Sequence, residues 1–259
     1  MIRIAAVGDV HVGEDSDERF EPWIESVHAE ADVLLLAGDL TRAGFPNEAA
    51  RLARELAKIR IPIVAVLGNH DYQMDRNDEI TAILRDARVH VLEGDAVVLR
   101  VGPSRLGIAG TKGFGGGFLG ACGSDFGEPE MKAFIRHTKH LADTLRLRLE
   151  ALDTDVSVAL LHYAPVTDTL EGERREIYPF LGSYLLAEAV DAAKADFVVH
   201  GHAHRGCETG VTPSGIPVRN VARSVIKRPY KIYQLDEGNR SQDRNVAHGT
   251  ADNAPRAWR

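Results

Sequence analysis

The sequence repeats one pattern five times: a short apolar run, predicted to be a β-strand, ends directly before polar side chains that can bind metal ions. Three repeats place a glycine between the run and the polar residue, V-G-D at 7–9, A-G-D at 37–39 and L-G-N at 67–69. The other two end at His162 and at the H-G-H-A-H stretch 200–204. Open α/β sheets build their sites beyond the carboxyl ends of their strands, so the pattern predicts that these groups meet at one edge.

Strand-like and helix-like segments alternate in the first half of the chain. The runs at 33–36 and 61–67 are continuously apolar, which favours strands covered on both faces. Later strands follow one another without helices, so the predicted fold class is α/β (α+β), a two-sheet β-sandwich flanked by helices. We predict strands at 2–7, 33–36, 63–66, 97–101, 106–109, 157–161, 197–199, 217–221 and 231–235, and helices at 17–30, 47–58 (with Asn47 as N-cap), 77–87, 128–151 and 181–194.

Length and composition predict one domain. With 259 residues, of which 44% are hydrophobic and 27% charged, the chain is long enough to bury one large core. We assign that domain to residues 1–236. The remaining segment, 237–259, is polar and lacks a core-forming period, so we expect a disordered tail.

Charge and cysteine content narrow the classes of function. The formal net charge of −7 argues against a non-specific nucleic-acid binder. Cys122 and Cys207 are too few for a disulfide framework, and we interpret them as free thiols. No apolar run reaches the length of a membrane span, and no charged segment precedes the first apolar run as in a signal peptide. We therefore expect a cytoplasmic protein without a membrane partner, and the sequence leaves a homo-oligomer open.

The polar groups of the five repeats suit a pair of metal ions. Carboxylate and imidazole ligands bind Zn, Fe, Mn or Ni, a carboxylate can bridge two ions, and the absence of thiolate disfavours a closed structural zinc site. One histidine on a buried strand is usually a core residue, and this is how we interpret His200. The candidate metal ligands are Asp9, His11, Asp39, Asn69, His162, His202 and His204.

The motifs D-x-H, G-D, G-N-H-D, H and G-H-x-H, in that order from Asp9 to His204, resemble those of the calcineurin-like metallophosphoesterases. The resemblance implies that family's four-layer fold and two divalent or mixed-valence ions, Mn, Fe or Zn, with Mn preferred. It also implies that Asp39 bridges the ions. The G-D-L-T-R-A-G stretch at 38–44 is similar to the Icc-related bacterial branch, which is associated with cyclic-nucleotide and other phosphodiesterases. The implied ligand sets are Asp9, His11, Asp39 and His204 for one ion, and Asp39, Asn69, His162 and His202 for the other.

Such a site predicts phosphoester hydrolysis. A hydroxide that bridges the two ions would attack in line, because paired cations lower the pKa of shared water and hold phosphoryl oxygens. His70 follows a ligand without being one, so we assign it protonation of the leaving oxygen or stabilisation of the charge that develops in the transition state. Asp71 would accept a hydrogen bond from its other ring nitrogen. A plain turn role for Asp71 remains the alternative.

Two segments are candidates for substrate contacts. The glycine-rich loop 111–123 lacks the G-K-[ST] of a P-loop, but Phe114 and Phe118 could stack on a base or an apolar leaving group; structural flexibility is the alternative. In segment 163–180, Tyr163 and Arg174 are candidates, since the basic pair at 174–175 could meet a phosphate or a second subunit.

The predicted function is hydrolysis of small phosphodiesters, with cyclic nucleotides as candidate substrates. Phosphomonoesterase or nucleotidase activity at the same site is the nearest alternative. From another class, the fold could serve as a non-catalytic scaffold. Such a scaffold would be expected to lose His70 or several ligands, whereas here every ligand type is in place.

Overall fold

Parallel strands dominate the two large sheets of the protein, whose computed structural model describes residues 1–15 and 21–236. The predicted tail 237–259 and the predicted helical residues 17–20 lie outside the described part of the chain. The strands are β1 (Ile2–Val7), β2 (Val33–Ala37), β3 (Ile63–Val66), β4 (Val89–Val91), β5 (Asp95–Val101), β6 (Ser104–Thr111), β7 (Gly117–Phe118), β8 (Ala121–Cys122), β9 (Val156–Leu161), β10 (Phe197–His200), β11 (Thr209–Val211), β12 (Pro217–Asn220) and β13 (Lys231–Leu235).

Seven α-helices accompany these strands in the described residues. They are α1 (Glu21–Glu30), α2 (Pro46–Leu56), α3 (Asn77–Asp86), α4 (Pro129–Glu150), α5 (Tyr178–Leu181), α6 (Tyr184–Ala193) and α7 (Arg223–Ile226), and short 3-10 turns occur at His70–Tyr72, Asp168–Leu170 and Arg175–Ile177. None of the helices in residues 1–15 and 21–236 is both long and apolar enough to cross a membrane.

The two large sheets are both mixed. The first has the strand order β13-β1-β2-β3-β4, in which only β13 is antiparallel to its neighbour. The second has the order β11-β12-β10-β9-β6-β5, with parallel pairing from β12 to β6 and antiparallel edge strands. A small hairpin, β7–β8, lies outside them. Five of the parallel strands therefore lead directly into the predicted ligands.

The core explains the order of layers. Side chains alternate along β9, because Val158 and Leu160 join one cluster with the first sheet, whereas Leu161 packs on the other face with Leu145 of α4 and Leu186 of α6. All five are fully buried. The two sheets thus pack face to face between helices, and the predicted α/β two-sheet sandwich flanked by helices is confirmed.

Two local predictions were wrong. Helix α2 begins at Pro46, with Phe45 rather than Asn47 as N-cap. The Glu48 carboxylate accepts hydrogen bonds from the backbone N–H groups of Ala43 (2.9 Å) and Phe45 (3.3 Å), so the turn before the helix needs no Asn cap. The short elements β4, β7, β8, β11, α5 and α7 were also missed, since two to four residues carry too little periodicity to be seen.

Candidate metal centre

The loops after five strands meet at one edge of the sandwich. Backbone hydrogen bonds join them: the N–H of Asp9 donates to Gly38 O at 2.9 Å, and that of His11 donates to Asp39 O at 3.0 Å. Within the second sheet, the N–H of Gly201 donates to His162 O at 3.1 Å, and between the two sheets the N–H of Gly8 donates to Val221 O at 2.8 Å. The predicted convergence of the strand ends is therefore present.

The polar side chains at this edge form two groups that share Asp39. Within each group the ligand atoms lie within 4.8 Å of one another. The Asn69 Oδ1 atom lies 2.9 Å from His162 Nε2, which adds the amide to the second group. The first group contains Asp9, His11, Asp39 and His204, and the second contains Asp39, His162 and His202.

The carboxylate of Asp39 is placed between the two groups. Its Oδ1 lies 3.3 Å from His162 Nε2 in the second group and accepts a hydrogen bond of 2.8 Å from the His70 N–H. Its Oδ2 faces the first group, 3.7 Å from His11 Nε2. One oxygen for each group is an arrangement in which a carboxylate can bridge two ions.

Four of these residues adopt left-handed backbone conformations. Their φ angles are 57° for Asp9, 45° for His11, 50° for Asp39 and 68° for His202. Such conformations are uncommon for side-chain-bearing residues, although Asp and His tolerate them better than most. Strain of this kind concentrates at functional sites, where the surroundings hold it in place. Sequence reasoning missed this feature, because it assigned the sharp turns to the neighbouring glycines.

Those glycines serve mainly to make room. A Cβ on Gly68 would overlap the Asp39 carboxylate, and one on Gly38 would overlap the His162 ring. Gly38 also has a positive φ of 81°, so the expected turning role applies there. At Gly68 the reason for glycine is the close approach of the bridging carboxylate.

Burial sets the protonation of the second group. His162 is fully buried, which lowers its pKa well below the usual value, and burial also lowers the pKa of His202 to about 3. The Nδ1–H of His162 donates to Ala37 O at 2.9 Å, which leaves Nε2 free as a ligand atom. Neutral imidazole is the form that binds metal ions.

The first group concentrates negative charge in a buried place. Burial raises the pKa of Asp9 to about 6, and the nearby Asp39 carboxylate adds to the rise. The Nε2 atoms of His11 and His204 lie only 3.5 Å apart, and His204 Nε2 lies 2.9 Å from Asp9 Oδ1. A bound cation would neutralise the buried carboxylates and accept the lone pairs of the converging imidazole nitrogens. This set of N and O donors fits divalent transition metals. The residues therefore fit the metal ions that the motifs imply.

Comparisons with known proteins agree with this geometry. Residues 2–206 match the family model for calcineurin-like phosphoesterases. The chain belongs to the calcineurin-like phosphoesterase family. Members of this family bind divalent metals and hydrolyse phosphoesters, and here the ligand groups, His70 and the strand ends all lie inside the matched residues.

Solved structures show the same fold for this phosphoesterase at low sequence identity. The phosphopantetheinyl hydrolase of Mycobacterium tuberculosis is 18% identical, with 92% of each chain covered and a TM-score of 0.65. The protein TT1561 of Thermus thermophilus is 17% identical, with 85% of this chain and 88% of that chain covered and a TM-score of 0.54. A sequence comparison with curated proteins gives no significant match.

Asp71 does not contact the ring of His70 in the phosphoesterase site, so that predicted hydrogen bond was wrong. The fully buried Asp71 carboxylate accepts hydrogen bonds from the N–H groups of Leu40 (3.1 Å), Thr41 (2.7 Å) and Gly68 (2.8 Å) and from the Thr41 hydroxyl (2.6 Å). Its oxygens tie the loops after β2 and β3 together. Asp71 is thus closer to the turn residue that the alternative described.

The backbone carbonyl of Arg42 takes the place expected for Asp71. It lies 2.6 Å from His70 Nδ1, so the ring donates Nδ1–H to this oxygen. The other ring nitrogen, Nε2, lies 3.9 Å from Asp39 Oδ2. The side chain of His70 is 39% exposed, which places it at the mouth of the phosphoesterase site with Nε2 directed inward.

His200 is a supporting residue of the phosphoesterase fold, as expected. Its Nδ1–H donates to Gly201 O at 2.7 Å, and its Nε2 accepts a hydrogen bond of 2.8 Å from the Thr169 hydroxyl. Both ring nitrogens are therefore engaged, and His200 belongs to neither ligand group.

The predicted substrate contacts have different outcomes. Phe118 is 6% exposed and packs in a cluster with Leu170 and Leu181, so its side chain is anchored in the fold, and its stacking on a substrate stays a prediction. Phe114 is half-buried against Tyr163, with ring centroids 5.7 Å apart. Arg174 is exposed to solvent.

Tyr163 lies beside the second ligand group. Its ring packs on that of His202, with centroids 4.3 Å apart, and burial raises the pKa of its hydroxyl to about 12. Its role as a substrate contact, like those of Phe114 and Arg174, stays a prediction.

Sequence reasoning missed Lys112, a buried lysine next to the phosphoesterase site. It directly follows β6, which is parallel to β9, so the same strand-end pattern that located His162 could have found it. The neighbouring glycines drew attention to loop flexibility instead. Lys112 is only 8% exposed, and its ammonium lies over the aromatic rings of Tyr72, Phe114 and Tyr163.

Proposed function

We propose that this chain hydrolyses small phosphodiesters, with cyclic nucleotides as candidates, using two metal ions at the paired ligand groups. One observation carries the proposal: Asp39 presents one carboxylate oxygen to each of two complete groups, and His70 stands at their mouth. The completeness of the groups argues against a scaffold that has lost its chemistry.

Bound at these groups, a pair of divalent cations would supply an activated water and a positive field for the phosphoryl oxygens. The chain's own residues do the rest. Asp39 and Asp9 are nearly inaccessible, at 1% and 5% exposure, so their carboxylates would interact with the ions and not with solvent. In a protein of net charge −7, this local excess of cations is what would attract an anionic substrate.

His70 is the proposed acid. With Nδ1–H donated to the Arg42 carbonyl, a second proton can reside only on Nε2, which is the atom directed into the site. His70 would pass this proton to the leaving oxygen.

Several finer assignments belong to the same proposal. Manganese is the preferred metal, with iron and zinc as alternatives, because N and O donors without thiolate suit all three. A cytoplasmic location and membership of the Icc-related branch remain predictions. So does the possibility of a homo-oligomer.

Two chromogenic esters test the proposal. Purified protein reconstituted with Mn, Fe(II), Zn or Ni would be assayed with bis(p-nitrophenyl) phosphate and with p-nitrophenyl phosphate. We expect metal-dependent turnover of the diester with the larger kcat/KM, and none in protein stripped of metal. Faster turnover of the monoester would move the assignment to a phosphomonoesterase. Two bound ions per chain without turnover of either ester or of any cyclic nucleotide would overturn the proposal.

A further inference from the structure

The ammonium of Lys112, a largely buried residue, has three aromatic neighbours. Its Nζ lies 4.9 Å from the ring centroid of Tyr72, 4.8 Å from that of Phe114 and 5.4 Å from that of Tyr163. Ring faces attract a cation and leave it poorly hydrated. We call these three rings the aromatic clasp. Within the described residues, no carboxylate oxygen lies within 4.0 Å of this ammonium, so no close ion pair neutralises it.

Glu93, the acidic residue that most influences Lys112, is engaged elsewhere. One of its oxygens accepts a hydrogen bond of 3.0 Å from the Leu67 N–H, and the other accepts one of 2.8 Å from the Tyr72 hydroxyl. Burying a lysine without a partner is costly, and burial lowers its pKa. Buried charges of this kind commonly occur at functional sites, where the charge has a role.

The position of Lys112 indicates that role. Its carbonyl oxygen accepts hydrogen bonds from the N–H groups of His162 (3.1 Å) and Tyr163 (3.0 Å), which fixes the residue to the end of β9. The clasp ring of Tyr163 packs directly on the ring of His202. Tyr163 therefore contacts both the ammonium and the second ligand group, and the charge of Lys112 acts on both Asp39 and His162.

We propose that Lys112 binds a non-bridging oxygen of the substrate's phosphoryl group and thereby sets how strongly the site favours phosphoryl groups of higher charge. The inference rests on the proposed function and deepens it. A lysine acts on phosphate as a compact point charge. A phosphomonoester carries a charge of about −1.5 to −2 at pH 7, whereas a diester carries one negative charge, so Lys112 stabilises a bound monoester more.

A purely structural lysine would behave differently. If Lys112 only filled the space inside the clasp, an uncharged side chain of similar length would replace it with no change in anion affinity. The test therefore uses Lys112→Met and Lys112→Gln, which remove the charge in an apolar and a polar form. Lys139→Met is the matched control, since Lys139 loses the same charge on α4, where its Nζ lies 3.7 Å from Asp125.

The primary measurement needs no turnover. Binding of inorganic phosphate to the metal-loaded proteins would be followed by calorimetry, together with metal content and melting temperature. We expect both Lys112 variants to bind phosphate at least about 10-fold more weakly, the effect of losing one charge-assisted hydrogen bond. The Lys139→Met control should bind as the wild type does, and metal content should stay the same in all proteins.

Steady-state kinetics supply the second measurement. In the Lys112 variants, KM should rise more for p-nitrophenyl phosphate than for bis(p-nitrophenyl) phosphate, so that the ratio of their kcat/KM values shifts toward the diester. Phosphate affinity within twofold of the wild type at unchanged metal content would overturn the inference. So would the failure of both variants to fold, which would assign Lys112 to the core.

The two proposals can fail separately. The wild-type protein could hydrolyse neither ester while the Lys112 variants bind phosphate more weakly. That result would support the anion site and contradict the proposed phosphodiesterase activity. If the wild-type protein hydrolyses the diester and the Lys112 variants bind phosphate as it does, the phosphodiesterase proposal is supported and the role of Lys112 is contradicted.

Discussion

The two ligand groups differ in how far they are enclosed by the protein. In the first group the side chain of His204 is 44% exposed and that of His11 is 23% exposed, whereas His162 of the second group is completely inaccessible. The first half of the centre is therefore the more open to solvent, whereas in the second half only Asn69 and His202 are partly exposed.

The groups also differ in what holds their histidines in place. A backbone carbonyl fixes the ring of His162, but His204 is oriented by a carboxylate of its own group, Asp9. The fold thus preorganises the enclosed group. The open group is instead held by contacts between its own ligand side chains, which an ion would also contact. Preorganised ligands bind with less loss of entropy, so the two groups should hold their ions unequally.

The largest effect is expected at the residue that belongs to both groups. Asp39→Asn removes the shared charge while keeping the size of the side chain, so both ions should be lost and turnover should fall at least about 1000-fold. Metal analysis of the reconstituted variant and the ester assay check this result. Asp78→Asn, at an exposed carboxylate on α3, is the matched control and should keep both ions. Retention of two ions by Asp39→Asn would contradict the bridging role.

Variants confined to one group should separate the two halves. Asn69→Ala or His202→Ala should deplete the second ion, leave about one ion per chain and lower turnover by about 100-fold or more, because paired cations act together. His11→Ala should deplete the first ion instead. The ion that remains lies in the open group in one kind of variant and in the enclosed group in the other. Metal analysis after dialysis distinguishes them, because the two groups should hold their ions unequally. Loss of both ions from every variant would mean that the groups are not independent.

A more selective effect is expected for His70, which contacts Asp39, the residue shared by the two groups, but is a ligand in neither. His70→Ala should keep its metal content and slow esters with poor leaving groups by about 100-fold or more, within the range of general acid catalysis. Esters with good leaving groups, such as p-nitrophenol, should slow far less. Rates measured over a series of leaving groups check the expectation. Equal slowing across the series would remove the acid role.

The same contrast shows how far sequence alone reaches. The strand-end pattern located Asp9, Asp39 and His162 because parallel strands must deliver their ends to one edge, whatever the details of packing. The pairing of Asp71 was wrong for a physical reason. Adjacent positions in a sequence do not share a direction in a 3-10 turn, and the Asp71 carboxylate was drawn to four buried donors instead of to the His70 ring.

Lys112 and the left-handed ligands mark a second limit. The rings that bury Lys112 come partly from distant segments, since Tyr72 and Tyr163 are both remote from Lys112 in sequence. Likewise, the φ of 50° at Asp39 follows from the hydrogen bonds and close approaches around it, which local sequence does not specify. Such features arise from tertiary structure and become visible only there.

The difference in enclosure also predicts the order in which the ions leave. During dialysis of the loaded protein against a chelator, we expect two phases of metal release, the faster from the open first group and the slower, by about 10-fold, from the enclosed second group. Metal content and ester turnover sampled over time would show the phases. His204→Ala should abolish the fast phase and leave the slow one, whereas His140→Ala, at an exposed histidine on α4, should change neither. Release of both ions in one phase from the wild type would show that opening of the whole edge controls exchange. The exposure of individual ligands would then have no bearing on how firmly each ion is held.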